Sequence, residues 1–195
     1  MDLSRLNKEQ QEAVKHMEGP LLILAGAGSG KTTMMTHRIA YMLEKGVSPY
    51  NILAVTFTNK AAGEMKDRIE SLTGGTRGMW VMTFHAMCVR ILRNHGEVLG
   101  FKNGFSIYDE SDKKALLKRI VKDLTIDEKI YPVSYLGSVI SSCKEAEEDP
   151  NDYIENNSMN FKAETVAKVY ARYMEDLQQN NAMDFDDLLW NAVKL

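Results

Sequence analysis

Apolar and polar positions follow two different periods along this chain, and the change between them divides it. "LLIL" (residues 21–24), "ILAVTF" (52–57) and "MWVMTF" (79–84) are short apolar runs of the kind that form strands buried on both faces. Each is followed by apolar positions at helical spacing. The first helix runs from Lys31 to about Lys45 and is closed by Gly46. The second carries Ala61, Met65, Ile69 and Leu72 and is stopped by "TGG", and the third carries Met87, Cys88, Ile91 and Leu92. Strands and helices in repeated succession predict a parallel sheet with helices on its faces. From about Asp109 the strand signal ends. "ESDKKALLKRIVKDL", "PVSYLGSVISSCKEAEE" and "AETVAKVYARYMEDLQQ" all show i, i+3, i+4, i+7 spacing, as in Leu136, Val139, Ile140 and Cys143. The expectation is an α/β part over residues 1–108 and an all-helical part over residues 109–195.

Charge sharpens that division. The formal net charge of the 195 residues is −3. Residues 1–108 hold 13 Lys/Arg against 9 Asp/Glu, and residues 109–195 hold 11 against 18, so +4 is followed by −7. The acidic run "KEAEEDPNDYIE" (144–155), which contains Pro150, reads as a solvated helix end and turn. No apolar segment approaches the roughly 18–20 residues that span a bilayer, and "MDLSRLNKEQ" has no apolar signal region, so a cytoplasmic protein without a membrane partner is expected. Cys88 and Cys143 have no second Cys or His at metal-ligand spacing and read as reduced, buried thiols.

The candidate chemistry begins at "AGAGSGKTT" (25–33), placed after one strand signal and before a helix. Gly28, Gly30, Lys31 and Thr32 match the P-loop pattern, with Ala25 at its first position. The glycines let backbone N–H groups turn inward around phosphates, and the helix N-terminus adds its dipole. In that geometry Lys31 reaches the β- and γ-phosphates, and the Thr32 hydroxyl is placed for Mg²⁺. Upstream, Gln10 has two readings. Its carboxamide can both donate to and accept from adenine, and Asn7 with Gln10 three residues on also forms a capping box. Two corners follow the later strands, "TFTNK" (Thr56, Phe57, Thr58, Asn59, Lys60) and "TFH" (Thr83, Phe84, His85). Each combines small polar groups at a helix start with an aromatic suited to base stacking, and together they suggest a track for phosphates and bases. From Lys60 to Arg93 there are six Lys/Arg against three Asp/Glu, so the local field is positive.

Taken together, these residues resemble the UvrD/PcrA/Rep family of superfamily 1A DNA helicases. "LNKEQQEAV" is similar to its Q-motif, "AGAGSGKT" to motif I, "TFTNKAAGEM" to motif Ia, "TFHAM" to motif Ib, and "MDFDDLL" (183–189) to the box ahead of motif II. The resemblance runs from Leu6 to Leu189. It implies a P-loop NTPase of RecA-like fold, with residues 1–108 as a partial ATP-binding subdomain 1A and residues 109–195 as the helical subdomain 1B. It implies an ATP- and Mg²⁺-dependent motor moving 3′ to 5′ on single-stranded DNA and opening duplex at a single-strand/double-strand junction, together with the remaining helicase domains. ATP would be held by Gln10, reading adenine, and by Ala25, Gly26, Ala27, Gly28, Ser29, Gly30, Lys31, Thr32 and Thr33. Thr33 stands where many members have Arg, and Arg38 is the candidate partial replacement. DNA would lie along Thr56, Phe57, Thr58, Asn59, Lys60, Thr83, Phe84 and His85.

Hydrolysis in this family needs an apolar strand ending in Asp-Glu. "FSIYDE" (105–110) looks similar but precedes the "DFDDLL" box, and Asp109 reads as an N-cap. In "FDDLLW" the acids precede the apolar run. The expectation is therefore the amino-terminal piece of a longer helicase, binding Mg·ATP weakly without turning it over. Its sheet would have open edges, favouring self-association or marginal stability. A small P-loop kinase and a stand-alone nucleotide-gated DNA-binding module are the competing readings.

Overall fold

In the computed structural model, residues 2–26 and 28–195 are described. Two compact units divide the chain, Met1–Met87 and Cys88–Leu195. The architecture is mixed α/β with short parallel sheets and many helices.

In the first unit, helix α1 (Lys8–Lys15) starts at Asn7, whose side chain accepts from the Gln10 N–H while the Gln10 side chain accepts from the Asn7 N–H. Helix α2 (Lys31–Glu44) begins after Gly30, held in the left-handed region at φ 82°, and has no side-chain cap. Strand β1 (Leu53–Thr56) pairs in parallel with β2 (Trp80–Thr83), placing Leu53 opposite Trp80 and Thr56 opposite Thr83. Between them runs α3 (Asn59–Thr73), capped by Thr58 and ended by Gly74 at φ 77°. Ile39, Ile52, Ala54, Met65, Ile69 and Met79 form the core shared by the two faces. Leu6, Val14 and Met34 bury a smaller contact between α1 and α2.

Two of the three predicted strands form. The run "LLIL" does not: residues 21–24 carry no strand, and Leu22 and Leu24 are 81% and 86% exposed. A parallel strand buried on both faces needs a ladder neighbour. Among the described residues β1 and β2 pair only with each other; Leu22 and Leu24 stay in solvent, while Ile23 packs against Leu6, Val14 and Met34. Within α3, Leu72 is also exposed, and the buried residues are Ala62, Met65 and Ile69.

Helix α4 (Phe84–His95) contains the unit boundary. The division thus falls earlier than the compositional change after residue 108, because residues 101–108 are tied into the second unit. Phe105 is buried with the Arg93 guanidinium 4.0 Å from its ring centre. Asn181, at φ 48°, accepts from the Lys102 N–H through its side chain and from the Ser106 N–H through its carbonyl.

Those bonds seed a sheet that the periodicity did not reveal. Strand β3 (Ser106–Tyr108) pairs in parallel with β4 (Ala182–Asp184), which corrects the all-helical expectation for residues 109–195. Both strands have three residues, too short for a period of two to register. Around them stand α5 (Glu110–Asp123), α6 (Val133–Glu145), α7 (Pro150–Asn156), α8 (Ala163–Gln179) and α9 (Phe185–Lys194). The stripe read from the sequence is the core face: Leu136, Ile140 and Cys143 pack with Leu117, Ile120, Val166, Tyr170, Tyr173 and Trp190. Burial pushes the Cys143 thiol up to about 11, so it stays a protonated core side chain. The acidic run is a turn followed by α7, with Pro150 in its first turn. Asp109 caps α5, accepting from the N–H groups of Ser111 and Asp112. Among the described residues, no helix is long and apolar enough to cross a membrane.

Candidate nucleotide and nucleic-acid site

The loop of residues 25–30 ends at the open N-terminus of α2. Gly28 and Gly30 lie at φ 75° and 82°, a region that only glycine enters readily. A Cβ on Gly30 would sit 3.0 Å from the Gln10 Nε2, which would have to give way, and the φ of 82° itself favours glycine there. The first N–H groups of α2 have no side-chain cap, which leaves donors and the positive dipole end directed at the loop. Lys31 is exposed, and its ammonium donates to the carbonyls of Ala25 and Gly26 at 2.7 and 2.6 Å. The cation that would meet a phosphate is thus already held in the cradle. The Ser29 hydroxyl donates to the Gly26 carbonyl, and Thr32 and Thr33 are half-buried in the first turn. Ala27 lies outside the described residues.

Beside the cradle is a cavity of about 240 Å³ walled by Gln10, Ala13, Ile23, Ser29, Lys31 and Met34. Its apolar members suit a flat ring, and Gln10 supplies the polar edge. The two readings of Gln10 coexist: its Oε1 accepts from the Asn7 N–H and its Nε2 donates to the Ser29 carbonyl. A carboxamide has two N–H donors and two acceptor lone pairs, so one of each remains for a base. Arg38 is placed elsewhere. Its guanidinium donates to the Ala13 carbonyl at 2.6 Å, which ties α2 to α1.

The two Thr-Phe corners sit side by side because Thr56 and Thr83 are register partners. The Phe57 and Phe84 ring centres are 5.4 Å apart with planes tilted by 40°, and Phe57 is 89% exposed. Asn59 and Lys60 are exposed at the start of α3, and His85 is half-buried in the first turn of α4. The threonines serve the backbone. Thr58 accepts from the Ala61 N–H, buried Thr83 accepts from the Ala86 N–H, and Thr56 donates to the Thr58 carbonyl. The corner therefore offers solvent two rings, an amide and an ammonium, with three hydroxyls setting their positions.

Sequence reasoning missed a buried ionic cluster in the second unit. The Lys144 ammonium lies 2.9 Å from Asp184 Oδ2 and 2.7 Å from Asp187 Oδ1. Lys113 donates to Asp186 and to the Ser141 hydroxyl, and Tyr173 donates to Asp184. Burial pushes the Asp187 carboxyl up to about 6, with Lys144 pulling it down and the neighbouring Asp184 charge pushing it up. Burial acts on Asp184 in the same sense, but Lys144, the Asp187 N–H and Lys113 outweigh it and hold that carboxyl below its ordinary value. The signal was present in the spacing: Lys144 falls four residues after Ile140 on the buried stripe, and Lys113 four before Leu117. The acids of the "DFDD" box are thus partnered by lysines or capping N–H groups.

Residues 6–195 match the UvrD/REP helicase N-terminal domain. The chain belongs to that family. It is 48% identical over 196 aligned positions to the ATP-dependent DNA helicase PcrA of Staphylococcus aureus (strain COL) and to the ATP-dependent DNA helicase PcrA of Staphylococcus epidermidis. Each alignment takes in 99% of this chain and 27% of the relative, so the chain spans about a quarter of the length of these curated relatives.

Proposed function

We propose that this chain is the amino-terminal ATP- and DNA-binding part of an ATP-dependent 3′–5′ DNA helicase, built on a P-loop NTPase sheet. In this reading residues 1–108 belong to subdomain 1A, with the nucleotide and DNA contacts, and residues 109–195 to subdomain 1B. The observation that carries it is the uncapped N-terminus of α2 meeting a left-handed glycine, an inward-held Lys31 and the Gln10 cavity. Backbone N–H groups of α2 and Lys31 would hold the triphosphate, Thr32 the Mg²⁺, and Gln10 the adenine edge. Mg²⁺ would supply charge neutralisation between phosphate oxygens. Single-stranded DNA would stack on Phe57 and Phe84 with Asn59 and Lys60 at its phosphates. The same reading puts the protein in the cytoplasm with DNA as its partner, alongside the further domains of a longer helicase.

Binding without turnover is part of the proposal. The acids that could be mistaken for a catalytic pair are engaged: Asp109 caps α5, while Asp184, Asp186 and Asp187 serve the lysine cluster or the α9 cap. A phosphate-release assay with oligothymidylate tests it. Release at the level of the buffer blank is expected; turnover that Lys31→Ala abolishes would overturn it. Phosphoryl transfer to a nucleoside monophosphate would instead support a small kinase.

A further inference from the structure

The connection between α7 and α8 places apolar side chains in solvent without a functional reason in the nucleotide or DNA reading. Met159 and Phe161 are 101% and 83% exposed, and Ile130 and Ile154 are 47% and 37% exposed. Phe161 is not an isolated ring. The Lys162 ammonium donates to the Ile130 carbonyl at 3.1 Å and lies 5.6, 5.3 and 5.8 Å from the ring centres of Tyr131, Tyr135 and Phe161. One cation therefore gathers the start of α6 and the α7–α8 connection into a single aromatic platform. Exposed apolar side chains grouped in this way mark docking surfaces more often than scattered ones do.

The charge around the platform selects the occupant. Residues 127–130 and 145–164 hold nine acids (Asp127, Glu128, Glu145, Glu147, Glu148, Asp149, Asp152, Glu155 and Glu164) against Lys129 and Lys162. The ammonium of Lys162 is already engaged by the rings and the Ile130 carbonyl. A polyanion is repelled by such a surface, while a basic chain carrying apolar anchors is attracted to it.

We propose that the platform of Tyr131, Tyr135 and Phe161 around Lys162, with the exposed side chains of Ile130 and Met159 next to it in the chain, is a docking surface for a basic, amphipathic segment of a partner protein. Its apolar residues would cover Met159 and Phe161, and its lysines or arginines would meet Asp152 and Glu155. None of these residues is among those assigned to ATP or DNA.

The test uses the full chain, with a helical peptide of lysine and leucine as probe, the same peptide with glutamate for lysine, and oligothymidylate. Binding is read by anisotropy and by the Met159 methyl signal in NMR. The lysine-leucine peptide is expected to shift the Met159 methyl. Its affinity should fall by about tenfold or more in Met159→Ser/Phe161→Ser and weaken with salt, and thermal melting of these exposed-site variants should match the wild type. Four results would overturn the proposal. These are no binding of the lysine-leucine peptide, binding that Met159→Ser/Phe161→Ser leaves unchanged, oligothymidylate binding lost in Phe161→Ser, or self-association of the chain that the same substitutions abolish.

Discussion

Replacing Lys144 by Met should uncover the cost of the buried cluster in the second unit. The Lys144 side chain is wholly buried, and its ammonium is shared by Asp184 at 2.9 Å and Asp187 at 2.7 Å. Two ammoniums, from Lys113 and Lys144, face three carboxylates, from Asp184, Asp186 and Asp187, so the cluster already carries one surplus negative charge. Removing one partner of a buried pair costs about 3–5 kcal/mol, and Lys144→Met should cost that much at pH 7. Asp187→Asn should behave oppositely. Raising the Asp187 carboxyl from 3.8 to about 6 corresponds to about 3 kcal/mol disfavouring its charged form. An amide there removes the surplus charge, so it should leave stability at pH 7 unchanged or higher.

The pH dependence follows from the same shifts. The folded state binds more protons at Asp187 than the unfolded state does between about 3.8 and 6, so this group makes stability fall as pH rises through that window. Asp184 is depressed, so its contribution is present above the ordinary carboxylate range and is lost as pH falls through its lower folded value. The contribution of these two groups should therefore peak near the ordinary carboxylate value of 3.8, where the two windows meet, and fall as pH rises toward 6. Urea unfolding followed through tryptophan fluorescence reads the Asp187 effect between pH 4 and 6, and its extension below about pH 3.8 reads the Asp184 effect. A cost for Lys144→Met below about 1 kcal/mol, or an unchanged slope between pH 4 and 6 in Asp187→Asn, would refute the reasoning.

Three further outcomes are expected. Gly30→Ala puts a Cβ 3.0 Å from Gln10 Nε2 at φ 82°, so calorimetry should show weakened ATP binding together with a stability loss of about 1–2 kcal/mol; unchanged binding would contradict the cradle geometry. Phe57→Ala and Phe84→Ala should each weaken oligothymidylate binding by about 1–3 kcal/mol per stacked base, with the melting temperature unchanged for the exposed Phe57 and lowered for Phe84, which is only 37% exposed; equal affinity of Phe57→Ala in anisotropy would exclude that ring from the track. Leu22→Ser/Leu24→Ser should reduce concentration-dependent self-association in light scattering, since both side chains are exposed; unchanged association would place the sticky surface elsewhere.

Much of the fold was legible wherever a period persisted. Helices α5, α6 and α8 each run for three turns or more, and their apolar stripes coincide with the buried faces. Strands β1 and β2 were readable because their runs are apolar and each leads into a helix. "LLIL" shows the limit of that inference: composition marks a segment as fit for a buried strand, but a strand exists only beside a neighbour. The short β3–β4 pair illustrates another limit, since it depends on hydrogen bonds from Asn181 that join positions 79 residues apart in the chain. At the candidate site, the motif marked the loop ahead of α2 but could not show that Gln10 both caps α1 and touches Ser29, or that Arg38 turns to Ala13. Lys144 opens the run that reads as a solvated helix end, yet it is buried, as is Lys113, because each meets carboxylates from the far end of the chain. Their acid partners on β4 and α9 lie far along the sequence.

The most direct test of the central claim is equilibrium binding of ATP to this chain with Mg²⁺ present, compared with the Lys31→Ala variant. Saturable binding at one site per chain is expected, with affinity falling by more than about tenfold on loss of the ammonium that now rests on the Ala25 and Gly26 carbonyls. Equal affinity in the two proteins, or no binding by the wild type, would contradict a nucleotide cradle at residues 25–33.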